Sequence, residues 1–186
     1  MICDNVSLSQ QLNEVQTMYH VKKIVMFNGI EGEGYNCNLY RDKTKIAEVI
    51  NDASGGDVNF YWTDQGSPRV ETNGVDYKDE PKIYKDTPEE SLFRTHCLDL
   101  PKWDCNGKMR HKDMDFAIED LVNDTLSARS LKRALKNIVT FEKDNQVYTY
   151  NRKATPENIT IFKAKKPDAI ILNSLAFKEA LKLWRQ

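Results

Sequence analysis

No apolar run in these 186 residues approaches the roughly 20 needed to cross a bilayer as a helix, so no membrane partner is expected. The opening stretch, MICDNVSLSQQLNEV, has no basic region followed by an apolar segment, so it is not read as a secretory signal. Cysteine is scarce: Cys3, Cys37, Cys97 and Cys105 are the only four. Without a secretory signal, the expectation is reduced thiols in a cytoplasm rather than a disulfide framework. Internal repeats and low-complexity segments are absent. No enzyme motif stands out either. The nearest is GIEGEG at residues 29–34, with three glycines in six positions that could bring backbone amides toward a phosphate. Its order is not the dinucleotide fingerprint, no helix is expected after it, and Glu31 and Glu33 would repel phosphate. It reads as a flexible hairpin turn.

What is present is the composition of a folded protein: 40% hydrophobic, 30% charged and 10% aromatic residues, enough for one sizeable core or two small ones. The net charge of −1 hides a segregation. Residues 1–105 carry 11 Lys/Arg and 18 Asp/Glu, a net −7, while residues 106–186 carry 16 and 10, a net +6. Such asymmetry points to an electrostatic partner, either nucleic acid or a protein that handles it.

Alternation and turn residues predict an α+β chain. Residues 1–20 read as a leader or short amphipathic helix, with Leu12, Val15 and Met18 on one face. Residues 21–105 form the acidic portion. It opens with an antiparallel four-strand meander over 21–64, whose turns fall at GIEGEG, at Asp42-Lys43-Thr44 and at Ser54-Gly55-Gly56. Residues 65–87 read as an exposed acidic connection, with short strands at VETNGVDY as the alternative. Thr87-Pro88-Glu89-Glu90 has the form of a helix start, followed by a helix toward His96 and a loop with an Asn106-Gly107 turn. Residues 106–186 form the basic portion, one domain with the acidic portion or separate from it. Here the pattern predicts a helix from Asp113, a break at Asn123-Asp124-Thr125, and a second helix capped by Ser127. A hairpin follows, then strands at ITIFKAK and AIIL. A last helix is capped by Asn173, with Phe177, Ala180, Leu181 and Trp184 on one face.

Helix, break, helix and hairpin is also the order of a winged helix-turn-helix. Arg129, Lys132, Arg133 and Lys136 recur at helical spacing opposite Leu131 and Leu135, a face suited to phosphates. An ordinary solvated face is the bland alternative, and the hairpin tip, Glu142-Lys143-Asp144-Asn145, is not basic. His96, Cys97, Cys105 and His111 fall within 16 residues and are zinc-type ligands, but adjacent His96 and Cys97 would strain to converge on one ion, and the spacing matches no common finger. No metal or cofactor is therefore expected, with these four as weak candidates. A catalytic Cys–His pair would lack an orienting third group. Asp52, Asp57, Asp64, Asp76, Asp79, Glu80, Asp86, Glu89 and Glu90 form an acidic surface that could mimic nucleic-acid phosphate. Phe60, Tyr61 and Trp62 are consecutive, so at least one must leave the packed face. Tyr61 is the candidate interface anchor.

The string VKKIVMFNGIEGEGYNCNLYRDKTKIAEVINDASGGDVNFYWTD resembles the opening of small uncharacterised proteins of phages and mobile elements. The FNGIEGEGYNCNLYRD and SGGDVNFYW blocks carry the likeness, with DLVNDTLSARSLKRALKN as a further element. Some proteins of this look are inhibitors of bacterial defence, including type II anti-CRISPR proteins. The resemblance covers about half the chain and carries no catalytic motif. It implies binding to a protein–RNA nuclease, no chemistry of the chain's own, and no transferable site residue.

The expectation is a non-enzymatic interaction protein that binds and inhibits a host nucleic-acid-handling defence complex. A protein or ribonucleoprotein partner, direct contact with nucleic acid, and a homodimer of complementary charge are all compatible with it. The alternatives are a winged-helix DNA-binding regulator and a metal-dependent nuclease or phosphohydrolase.

Overall fold

A computed structural model of the protein describes residues 18–76 and 78–185. The leader expected over residues 1–20 therefore falls mostly outside the described residues. Tyr19 and His20 already belong to the first strand. The fold is α+β, and the chain divides between Val122 and Asn123 into two compact units.

The first unit opens with the antiparallel meander: β1 (Tyr19–Asn28), β2 (Glu33–Arg41), β3 (Thr44–Asn51) and β4 (Asn59–Trp62), side by side in chain order. Alternation, broken by register shifts between Lys22 and Val25 and between Leu39 and Tyr40, explains its one buried face. Val21, Leu39, Ala47 and Trp62 sit in register across the four strands and are all buried. Helix α1 (Pro88–Asp99) supplies Phe93, which is 0% exposed. Its ring lies 5.0 Å from that of Tyr19 and 6.1 Å from those of Phe60 and Trp62. Burial of a phenylalanine this complete contributes about 2–3 kcal/mol.

The start of α1 follows its sequence signature. Thr87 Oγ1 accepts from the Glu90 N–H at 3.2 Å, the Glu90 carboxylate accepts from the Thr87 N–H at 3.3 Å, and Pro88 occupies the first turn. The connection over 65–87 holds a hairpin, β5 (Val70–Val75) with β6 (Pro81–Asp86), so the alternative of short strands at VETNGVDY displaces the exposed loop. The loop after α1 is likewise a short hairpin, β7 (Trp103–Cys105) with β8 (Lys108–Arg110). Asn106 and Gly107, at φ 54° and 80°, make the paired left-handed turn that hairpins favour.

The largest correction concerns the expected helix–helix break. Residues Met114–Asn137 form one continuous helix, α2, with no interruption at Asn123-Asp124-Thr125. Each of these residues costs only about 0.5 kcal/mol relative to alanine in a helix interior. Ending and restarting would orphan four carbonyls and four N–H groups and require a second nucleation. Asp124 instead turns its carboxylate out to Arg185, at 2.9 Å.

The second unit contains the end of α2, β9 (Val139–Lys143), β10 (Gln146–Tyr150), α3 (Pro156–Lys165), β11 (Ile170–Ile171), a 3-10 turn (Leu172–Ser174) and α4 (Phe177–Trp184). Its sheet runs β10-β9-β11. The strand expected at ITIFKAK is α3. Thr155 Oγ1 accepts from the Asn158 N–H at 3.2 Å, Pro156 opens the helix and Phe162 is its buried anchor. The AIIL strand shortens to two residues. Asn173 does not cap α4, whose N-cap is Ala176. Its side chain accepts from the Thr140 N–H at 2.7 Å and donates to the Leu135 and Ile138 carbonyls at 2.9 and 3.0 Å. Phe177 is half-exposed rather than packed with Ala180.

The unit boundary sharpens the charge segregation. The chain up to Val122 holds 14 Lys/Arg and 22 Asp/Glu, a net −8. From Asn123 onward it holds 13 and 6, a net +7.

Candidate functional site

The four basic candidates lie on the second-unit half of α2. Arg129, Lys132, Arg133 and Lys136 are all exposed. At 3.6 residues per turn they share about 100° of arc. Leu131, on the opposite side, is buried against Leu172 and Ala180, with Leu135 and Trp184 beside them. The helix thus fixes a cationic stripe by burying its leucines. Because α2 is continuous, no turn sets a recognition helix apart, and the winged helix-turn-helix expectation loses its premise. The hairpin tip adds no net positive charge: Lys143 stands between Glu142, which accepts from the Asn145 N–H at 2.7 Å, and Asp144.

The acidic group resolves mainly into caps and ion pairs of the first unit. Arg41 clasps both oxygens of Glu89 at 3.0 and 2.7 Å. Arg94 clasps Asp86 at 2.7 and 3.1 Å. Asp64 accepts from the Glu89 N–H at 2.9 Å. Asp76 accepts from the N–H groups of Glu80 and Lys78, and the Glu80 bond above all lowers its pKa. Asp52 accepts from the hydroxyl and N–H of Ser54, which lower its pKa likewise. Burial raises the pKa of Glu90, next to Arg69 and Arg94. Asp57 and Glu80 are exposed.

The four zinc-type candidates are dispersed. His96 packs its ring on Tyr19, 4.7 Å between centroids, and burial lowers its pKa. Cys97 is in the core, and burial pushes its thiol up to about 12, far from the thiolate a metal requires. Cys105 and His111 line a separate cavity of about 240 Å³ with Asp76, Asp79, Asp113, Trp103 and Phe116. No group of three or more metal-ligating side chains converges among the described residues. In this cavity Asp79 Oδ1 meets His111 Nδ1 at 2.8 Å. It also accepts from the His111 backbone N–H at 3.1 Å. The orienting carboxylate that the sequence had not revealed is therefore Asp79, 32 residues away. Both contacts hold the Asp79 carboxyl below its usual range, the side-chain bond most strongly. Among the described residues Cys105 makes no hydrogen bond to His111, so the thiol and the imidazole share a wall without forming a nucleophile–base pair.

The remaining surface of interest is the open face of the four-strand sheet. Its cross-strand pairs are His20 with Tyr40, Lys22 with Asn38, Val25 with Asn36, Asn38 with Glu48, and Glu48 with Tyr61. Tyr61 is 50% exposed on this face, while its neighbour Trp62 turns inward. The His20 and Tyr40 rings stack at 5.4 Å and 16°, and Lys22 Nζ sits 4.4 Å from the Tyr40 ring centre. Lys45 pairs with Glu48, which lowers the Glu48 pKa. A depression of about 340 Å³ runs along Lys23, Asn36, Asn38, Glu48 and Ile50. The sequence singles out Tyr61 but not these neighbours; for Asn36, Asn38 and Tyr40 the signal is the polar half of the alternation in YNCNLYR. The GIEGEG segment is the β1–β2 turn, closed by Gly29 N–H to the Gly32 carbonyl at 2.7 Å.

No protein-family model, no curated protein and no solved structure matches the chain.

Proposed function

We propose that the chain is a non-enzymatic interaction protein of phage or mobile-element origin that binds and inhibits a host nucleic-acid-handling defence complex, such as a CRISPR effector nuclease. The observation that carries this reading is the coincidence of charge sign with structural unit, −8 before Asn123 and +7 after it. Opposite patches steer association and reject wrong partners more than they add affinity. The cationic stripe of α2 is exposed, and among the described residues none of its four side chains pairs with a carboxylate, so it is available to phosphate or an acidic protein surface. Affinity then needs apolar anchors, and half-exposed Tyr61 is one.

The same charges allow two copies to associate, each offering one sign to the other. Exposed ion pairs contribute only about 0–1 kcal/mol each, so a homodimer also needs an apolar contact. Sedimentation across a salt series reads this directly.

The partner claim is tested by capture. Tagged chain is incubated with a bacterial lysate, with and without nuclease digestion. Recovery of a nucleic-acid-processing protein that survives digestion supports the proposal. Recovery that vanishes on digestion points instead to a chain that binds nucleic acid alone.

A further inference from the structure

Three independent observations meet on the open face of the four-strand sheet. The first is backbone strain. Lys23 has φ 53°, a left-handed conformation unfavourable for a residue with a side chain, at the bulge where the β1–β2 register shifts between Lys22 and Val25. This strained lysine lines the 340 Å³ depression. The second is the arrangement of flat groups. The His20–Tyr40 stack lies at one end of the face and half-exposed Tyr61 on the far strand, joined to β2 through the row Asn38, Glu48, Tyr61, with Asn36 in the next row. The third is charge. In a unit of net −8, this face carries Lys22, Lys23 and Lys45 against Glu48, which Lys45 already neutralises, with Asp42 acting on His20 at the edge.

We infer that this face is a docking platform for an unpaired nucleic-acid strand. Each element has a counterpart in such a strand. Aromatic rings stack on the faces of unpaired bases, lysines track the phosphates, and side-chain amides bond to base edges. A paired duplex hides its base faces, so the platform selects single strands. A protein segment would find apolar contact only at the two edge strands, Val25 on β1 and Tyr61 on β4, because the centre of the face is Asn36, Asn38 and Glu48. The inference deepens the proposed function by placing part of the partner's recognition on its nucleic acid. It can fail while protein capture stands, because it is tested with the purified chain alone.

The experiment is fluorescence anisotropy of the full chain against 12-nucleotide labelled single strands, one of DNA and one of RNA, with the matching duplex alongside. Binding of a single strand is expected, with the duplex weaker and a log–log salt slope of about −2, as two to three neutralised phosphates require. Tyr61→Ala should weaken binding about tenfold or more, the loss of one stacked base. Lys22→Glu with Lys23→Glu should weaken it further, and Glu48→Gln should tighten it. Reversing Arg129, Lys132 and Arg133 on the other unit should leave most of the affinity in place. Ultraviolet cross-linking of the unmodified protein removes any dependence on variant folding, and adducts are expected on the peptides containing Tyr40 or Tyr61. No binding by the full chain, duplex binding as tight as single-strand binding, or adducts confined to residues after Asn123 each overturn the inference. Binding of a protein on this face in place of the strand overturns it as well.

Discussion

Arg94 grips Asp86 through two parallel bonds, 2.7 Å from Nε and 3.1 Å from Nη2, and both side chains are nearly buried. The pair ties the end of β6 to the middle of α1, and the guanidinium also lies 3.7 Å from the centre of the Tyr84 ring. Removing one member of a buried pair leaves the other charge uncompensated. Arg94→Met should therefore lower unfolding free energy by about 3 kcal/mol, read as a lower urea midpoint at unchanged slope. Arg94→Met combined with Asp86→Asn should recover part of that loss. If the double variant is no more stable than the single, the isolated charge is not the cause.

Asn173 holds the second unit together where α2 ends. Its amide satisfies the Leu135 and Ile138 carbonyls and the Thr140 N–H at once. Asn173→Leu keeps the volume and removes all three bonds, at about 2–3 kcal/mol. Hydrogen exchange should then accelerate at the Thr140 amide first. Unchanged protection of that amide would show that the clamp is not structural.

The meander was legible because its alternation has a single solution: any one-residue slip would turn Leu39 and Val49 to solvent. The start of α1 was legible because Thr87-Pro88-Glu89-Glu90 satisfies orphan N–H groups locally. The same cap logic holds at Thr155-Pro156-Glu157, which the strand reading of ITIFKAK leaves out in favour of the β-branched run Ile159-Thr160-Ile161. There the cap and one buried ring, Phe162, prevail over intrinsic strand preference. The Asn123–Thr125 break was a propensity argument, and propensity is weaker than helix continuity. Neither the Asp79–His111 contact nor the Lys23 bulge was accessible from sequence. The first joins residues 32 apart, and the second depends on how β1 registers against β2.

Alkaline pH should destabilise the fold. Burial pushes the thiols of Cys37 and Cys97 from 9.0 up to about 12 and the Tyr19 phenol from 10.0 to about 12. Above pH 9 the unfolded chain loses these protons while the folded chain keeps them, so their stability contribution is full below pH 9. It declines as pH rises toward 12, by on the order of 1 kcal/mol per pH unit for each thiol. Cys97→Val should flatten the decline between pH 9 and 11 in urea titrations. An unaltered pH profile would remove Cys97 as a cause.

Thiol labelling should follow the same burial. Brief iodoacetamide treatment of native protein, with peptide mapping, should modify half-exposed Cys105 before Cys37 or Cys97. In urea the three should react at similar rates. Early native labelling of Cys97 would contradict its place in the core.

The claim that the chain blocks a nucleic-acid-handling complex is tested most directly by cleavage. The captured complex is given a labelled nucleic-acid substrate and titrated with purified chain. The account predicts that cleavage falls in proportion to added chain and stops near about one chain per complex. Reversing Arg129, Lys132 and Arg133 to Glu should restore cleavage while leaving the circular dichroism spectrum unchanged. Undiminished cleavage at saturating chain would contradict the account.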